Sequence, residues 1–281
     1  MTLKRVAVLA IAMAAFCGAA KAEESTWDRI QKTGKIRAGC AVSEPWFYKD
    51  PATGEWSGVG PGIAAKLAEE LQVKWECVET TWANGVAGLQ ANNYDMMVAL
   101  DATPQRALAA DFAEGTLLYY AVGVLLPKDS KITTWAELNN PQTTIGVALG
   151  SSNDRAITKL LPKANIERSK TYAESLASFY AGRSQGVGGP SMSLLFSNRD
   201  HLDKYKVVLP MPASVSTMSI GVRKETDKRW RDWLTVAMQY YYYRGDTAEI
   251  YYDFVKKRGL DPSLVPPITL EEMRAPAAQA K

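Results

Sequence analysis

The sequence predicts an α/β protein of two lobes with a cleft between them, each lobe a mostly parallel sheet flanked by helices. Three observations predict it. Strand-like and helix-like segments alternate along the chain. Two long extended segments, near Tyr120 and near Thr217, divide that alternation into two units. The length, 281 residues, suffices for two ordinary domains with cores that need no staples.

In the first unit, residues 35–42 read as a strand and 44–57 as a loop broken by Pro45, Pro51 and Gly54. Residues 62–71 read as a helix, because Ile63, Leu67 and Leu71 fall on one face. A strand over 73–80, a short helix over 84–91 and a strand over 94–100 follow, and Pro104 opens another helix. This βαβαβ order predicts parallel pairing. Residues 119–127 form a long apolar strand into the second unit. There 144–149, 185–188, 206–209 and 217–222 read as strands, and 152–161 and 173–181 as helices. Trp230, Trp233, Leu234, Ala237, Met238 and Tyr241 then recur at i, i+3, i+4, i+7, i+8 and i+11, an amphipathic helix that Gly245 breaks. In Tyr240–Tyr243 only Tyr241 matches the apolar stripe. A further helix covers 246–257, with Ile250 and Phe254 inward, and the Ala/Pro-rich tail after Pro266 is expected to fray.

Composition narrows the chemistry. Lys plus Arg is 33 against 30 for Asp plus Glu, but Lys4, Arg5 and Lys21 lie in the first 22 residues, where no acid lies. From Glu23 onward the formal charge is zero, so binding of nucleic acid through a basic face has no support. Lys4 and Arg5, the apolar run 6–16 and Ala20-Lys-Ala22 read as a signal peptide over 1–22, cleaved after Ala22. An exported, periplasmic protein is expected, and no later segment carries 18 apolar residues in a row. Cleavage removes Cys17 and leaves Cys40 and Cys77, both in expected strands. A disulfide and a pair of buried thiols are equally compatible with that placement. A single His makes metal sites and most triads hang on His201, which sits in a polar turn and is expected to be exposed. No phosphate loop, dinucleotide fingerprint or nucleophile elbow occurs, and no cofactor is expected.

Three stretches carry candidate binding chemistry. In Asp101-Ala-Thr-Pro-Gln-Arg106, Thr103 is a good N-cap whose bond reaches the amide of Arg106. A guanidinium is thereby fixed at a strand-to-helix turn, where its planar fork suits a carboxylate. Gly150-Ser-Ser-Asn153 lies between a strand and a helix, and Ser151, Ser152 and Asn153 read as an anion cradle, or as simple helix capping. Glu44, Trp46 and Trp82 follow the first and second strands and read as pocket walls, with Phe47 expected in the core.

Taken together these residues resemble the periplasmic solute-binding proteins of amino-acid ABC importers, extracellular solute-binding protein family 3. Gly34-Lys-Ile-Arg-Ala-Gly39, Trp56-Ser-Gly58, Asn93-Tyr-Asp95 with Thr103-Pro-Gln-Arg106, Asp111-Phe112, Ile145-Gly-Val147 with Gly150-Ser-Ser152, Ala181-Gly-Arg183 and Gly221-Val-Arg-Lys224 carry the resemblance in order. It implies a periplasmic binding protein type II fold, with lobe one at 23–119 plus 217–281 and lobe two at 120–216, closing on a small ligand by hinge motion. It implies a monomer that delivers a carboxylate-bearing solute to a permease in the inner membrane. By the resemblance the carboxylate-binding Arg falls on Arg106, the second lobe's contacts on Ser152 and Asn153, and a side wall on Trp82.

Three departures stand out. Pro190 occupies the place of the Asp that usually binds an α-ammonium, Glu44 that of an aromatic lid, and Asp101 that of a small hydroxyl residue in a segment one residue short. Either Glu44 or Asp101 takes over the ammonium, or the ligand has none, since a buried ammonium without an anion is costly. Two other functions share the fold: a cyclohexadienyl or arogenate dehydratase using Glu44 or Asp101 as acid, and an accessory or sensory protein that binds a periplasmic partner.

Overall fold

The computed structural model describes residues 24–274, so the expected signal peptide over 1–22 lies outside the described residues. The first unit opens on a helix the sequence reading did not anticipate, α1 (Thr26–Thr33), capped by Ser25 and ended by Gly34 at φ 62°. Then come β1 (Lys35–Ala41), the short pair β2 (Tyr48–Lys49) and β3 (Trp56–Ser57), α2 (Val59–Glu70), β4 (Lys74–Thr80) and α3 (Gly85–Gln90). The unit continues with β5 (Met97–Leu100), the single turn α4 (Pro104–Ala107) and β6 (Ala110–Phe112).

The second unit runs through β7 (Leu118–Pro127), α5 (Trp135–Leu138), β8 (Thr144–Ala148), α6 (Ser152–Leu160), β9 (Asn165–Ser169) and α7 (Tyr172–Tyr180). It ends with β10 (Gly186–Pro190), α8 (Ser191–Ser197), β11 (Tyr205–Val208) and β12 (Ser214–Arg223). The chain closes on α9 (Arg229–Arg244), α10 (Asp246–Lys257) and α11 (Leu270–Arg274).

The predicted parallel pairing holds within each unit. β1 pairs in parallel with β4 from Lys35↔Lys74 to Ala41↔Thr80, and Ala38 bridges Met96 in parallel. β8 lies parallel to both β9 and β10. β1 and β4 form a sheet of their own, and the eight-stranded sheet that joins β5 and β6 to the strands of the second unit is mixed. β7 and β12, ten residues each, pair antiparallel with one another, with Ser216 opposite Tyr120 and Thr217 opposite Tyr119. β12 also pairs antiparallel with β5 and β6, and β7 with β10 and β11. The two crossings carry the chain between units in opposite directions, so each must run against its neighbour.

The β1–β4 register places Cys40 and Cys77 with Cα atoms 5.6 Å apart, and their sulfurs are bonded. The disulfide, one of two readings open in the sequence, is formed. Asp95, from the motif preceding β5, is fully buried. It accepts from the Arg37 amide at 2.6 Å and Arg37 Nη2 at 2.8 Å, and is paired with Arg29. Its role is to tie α1 and β1 to β5, a structural one.

On α9, Trp230, Leu234, Ala237, Met238 and Tyr241 face inward, while Tyr243 is exposed. Gly245 ends the helix at φ 82°, as its position predicts. Expectation and structure part at the tail. Ile268 is fully buried, its carbonyl accepts from the Tyr119 amide at 2.8 Å, and the Tyr242 hydroxyl accepts from the Leu270 amide at 3.0 Å. The tail through Leu270 is therefore packed on the crossing strand and on α9 rather than frayed, while residues 275–281 lie outside the described residues. His201, expected to be exposed, is half-buried in a short 3-10 turn, with Tyr180 edge-on at 5.1 Å.

Candidate functional site

Arg106 is held as its local sequence dictates. The Thr103 hydroxyl accepts from its amide at 3.3 Å, and Pro104 takes the first helical position. The guanidinium is buried. Nη1 donates to the Asp101 carbonyl at 3.1 Å and Nη2 to the Gly150 carbonyl at 3.3 Å. The second bond joins the α4 turn to the loop before α6. Arg155 Nη2 donates back to Thr103 Oγ1 at 3.2 Å, so the two segments are stitched twice. Burial lowers the pKa of Arg106, and the nearby Asp101 charge opposes that shift.

Asp101 stands at the end of β5, two residues past Ala99, a non-glycine residue at φ 58°. The strand pairing shifts register at Ser219/Ile220, beside this point. That irregularity lets the chain leave β12 and turn into the site. Asp101 Oδ2 accepts from the Tyr120 hydroxyl at 2.6 Å and from Ser216 Oγ at 3.1 Å, one residue from each crossing strand. Burial raises the Asp101 pKa, with the hydroxyls of Ser152 and Tyr120 and the charge of Arg106 acting against it. Burial and the neighbouring Asp101 charge push the Tyr120 phenol well above its ordinary value.

The loop ahead of α6 is capped by its own side chains. Ser151 Oγ accepts from the Asp154 amide at 3.0 Å, and Asp154 Oδ2 accepts from the Gly150 amide at 3.3 Å. The capping reading of this stretch therefore accounts for those amides, and what reaches the cavity is side chains. Ser151, Ser152 and Asn153 all line it, and Asn153 Nδ2 donates to the Tyr120 hydroxyl at 3.2 Å.

Around these groups lies a partly open cavity of about 20 Å³, also walled by Trp46, Trp82, Tyr172, Met218 and Pro190. One water needs roughly 10–15 Å³ measured in this way. Three buried polar atoms on the wall carry no hydrogen bond: Ser43 Oγ, Trp46 Nε1 and Asn153 Oδ1. Buried polar atoms are normally satisfied, so such a cluster around one cavity marks a place where a ligand supplies the partners.

Of the residues singled out in the sequence, Trp46, Trp82, Asp101, Arg106, Ser151, Ser152 and Asn153 meet at this cavity. Thr103 acts through Arg106 and does not line it. Glu44 is placed elsewhere. Its carboxylate is paired with Arg199 at 3.0 Å and with Arg258 at 2.5 Å, and Arg258 stacks on Tyr48 at 4.0 Å. Two cations already hold it, which leaves no carboxylate there for a ligand's ammonium. Sequence reasoning missed Ser43 and Tyr172, and used Tyr120 only as a crossing marker. Thr171 and Glu174 form an N-capping signature that would have placed Tyr172 at the first position of α7, where Thr171 Oγ1 accepts from the Glu174 amide at 3.2 Å.

The profile of the bacterial extracellular solute-binding proteins, family 3, matches residues 36–257. A probable amino-acid ABC transporter periplasmic-binding protein of Sinorhizobium fredii is 27% identical over 186 residues, 64% of this chain; the match spans about three-fifths (61%) of that relative's length. The L-cystine-binding protein of Bacillus subtilis is 25% identical over 185 residues, 63% of this chain and 68% of that one. Among solved structures, an ancestral amino acid-binding protein, a precursor of cyclohexadienyl dehydratase, superposes with a TM-score of 0.73 at 26% identity. It covers 82% of this chain and 99% of its own.

Proposed function

Because the chain belongs to the bacterial extracellular solute-binding proteins of family 3, we propose that it is the periplasmic substrate-binding component of an ABC importer, gripping a small carboxylate-bearing solute by cleft closure. The observation that carries this reading is Arg106. It is a buried cation with a carbonyl partner on each side of the cavity and a fork suited to a carboxylate. The Ser216↔Tyr120 and Thr217↔Tyr119 pairs support a division into lobe one, 23–119 plus 217–281, and lobe two, 120–216, hinged at the crossings. Glu44–Arg199 and Arg155–Thr103 then become bonds between lobes. The proposed mature chain begins at Glu23, as a monomer that docks on an inner-membrane permease when closed.

Closure around a solute converts binding energy into a population shift toward the form the permease reads. The test is a thermal-shift screen of the mature protein, partially unfolded and refolded to remove carried-over ligand, against small carboxylates. At 100 times its dissociation constant a ligand adds about 2.7 kcal/mol. A hit that Arg106→Ala abolishes supports the reading. No response to any carboxylate would sink it and favour the accessory, partner-binding alternative.

A second reading rests on Asp101. A buried carboxyl with a raised pKa beside a phenol is suited to general acid chemistry, as a cyclohexadienyl or arogenate dehydratase would require. Turnover of prephenate or arogenate decides between the two.

A further inference from the structure

A groove of about 310 Å³ lies where the second unit meets the segment after α10, and it shares no lining residue with the cavity around Arg106. Its volume is at the lower end of the range for small-molecule pockets, roughly 300–1,000 Å³. Lys128 enters it from the end of β7, Ser191 and Leu195 from α8, Lys206 from β11, and Leu264 from beyond α10.

The groove combines three unmet demands. The first is apolar. Leu209 and Leu264, 44% and 77% exposed, both stand on its wall, with Leu195 and Leu202 beside them. A single exposed leucine is ordinary, but two on one groove leave an apolar strip open to water. The second is electrostatic. Among the described residues Lys128 and Lys206 are the charged side chains on the wall, and no carboxylate lines it. Lys128 Nζ donates to the Leu202 carbonyl at 3.1 Å, and Lys206 Nζ to the Ser130 carbonyl at 2.7 Å. Both partners are neutral, and each ammonium keeps two further donors. The third is a hydroxyl. Ser191 is 1% exposed, lines the groove, and its Oγ has no hydrogen-bond partner. Buried hydroxyls are normally satisfied.

These demands select one chemistry. A small inorganic anion would answer the lysines and leave the leucines wet. An alkyl cation would cover the leucines and be repelled by the lysines. An alkyl chain that ends in an anion answers all three. We propose that this groove is a binding site for a single-chain alkyl carboxylate, its head held by Lys128, Lys206 and the Ser191 hydroxyl and its chain laid along Leu195, Leu202, Leu209 and Leu264. The site is separate from the cavity that holds Arg106, and the inference does not depend on the solute-binding reading.

The test is calorimetric titration of the mature protein with decanoate, kept below its micelle concentration. One site is expected. Octanoate, two methylenes shorter, should bind roughly tenfold more weakly if the chain is buried in the groove. Decyltrimethylammonium, with the same chain and the opposite charge, should bind at least tenfold more weakly, and acetate should not compete. Lys128→Met together with Lys206→Met keeps the apolar stems and removes both charges, and should cost decanoate at least tenfold. Leu264→Asp, at an exposed position, should cost as much. Arg106→Ala should leave decanoate affinity within twofold. Decanoate that does not bind, or that binds no better than decyltrimethylammonium, overturns the proposal. So does loss of binding in Arg106→Ala, which would put decanoate in the other cavity. If the double lysine variant fails to fold, Leu264→Asp and the ratio of decanoate to decyltrimethylammonium on the unaltered protein decide.

Discussion

Glu44 and Arg199, 155 residues apart in the chain, meet at 3.0 Å between the two units of the fold. The pair is mostly buried, and Arg258 holds the other carboxylate oxygen. Its position next to the cavity-lining segment that contains Ser43 and Trp46 means that the two units are held together by more than the contacts around the cavity.

Removing that clasp should favour the open form. Arg199→Ala leaves Glu44 paired with Arg258, so the stability loss should be modest, about 1–2 kcal/mol for one charge-assisted bond. Ligand dissociation should accelerate several-fold with little change in the association rate. Stopped-flow dissociation kinetics and a urea melt check both halves of that expectation.

Gly150 tests closure by a different route. It sits at φ 72°, and a Cβ there would lie 2.8 Å from Ala83 Cα, a backbone atom that cannot rotate away. Gly150→Ala should cost about 1–2 kcal/mol from the left-handed conformation alone. It should also hold the two units apart, raising the radius of gyration of the ligand-saturated protein in small-angle scattering.

Acid should weaken binding of an amine-bearing ligand. Burial raises the Asp101 pKa, and only its ionised form attracts an ammonium. Affinity is expected to fall as pH drops through the raised value, with one proton released per ligand bound in that range. Titration in buffers of different ionisation enthalpy reads the proton count directly.

The same group predicts a stability effect of the opposite sense. A carboxyl whose folded pKa is raised above its ordinary 3.8 favours folding below that unfolded value. The contribution is lost as pH rises through the folded pKa. At neutral pH the buried charge therefore opposes folding. Asp101→Asn, which keeps an acceptor for Tyr120 and Ser216, should leave the ligand-free melting temperature unchanged or raise it.

The disulfide should carry measurable stability. Cys40 and Cys77 close a loop of sequence separation 37, for which the chain-entropy relation gives about 4 kcal/mol. Reduction, or the double change Cys40→Ala with Cys77→Ala, should lower the melting temperature by roughly 10 °C in a protein of this size. The β1–β4 ladder should be the region whose amide exchange rises most.

The sequence alone determined what is written in periodicity and in caps. Apolar spacing set α9 and its break at Gly245, and β-type runs set β1, β4 and β7. Thr103 and Pro104 fixed the placement of Arg106, because an N-cap bond spans only three residues. The tertiary structure decided everything that depends on meetings at long range. It gave Glu44 to Arg199 and Arg258 rather than to the cavity, and brought Tyr120 and Ser216 onto Asp101. It joined β5 to the strands of the second unit in one mixed sheet through β7 and β12, leaving β1 and β4 as a separate parallel pair, and packed Ile268 against Tyr119 where fraying was expected. Contacts between residues 19 to 214 positions apart leave no periodic imprint on the chain. They arise only once burial has chosen which surfaces face each other, and a buried charge then takes the partner that geometry brings within reach.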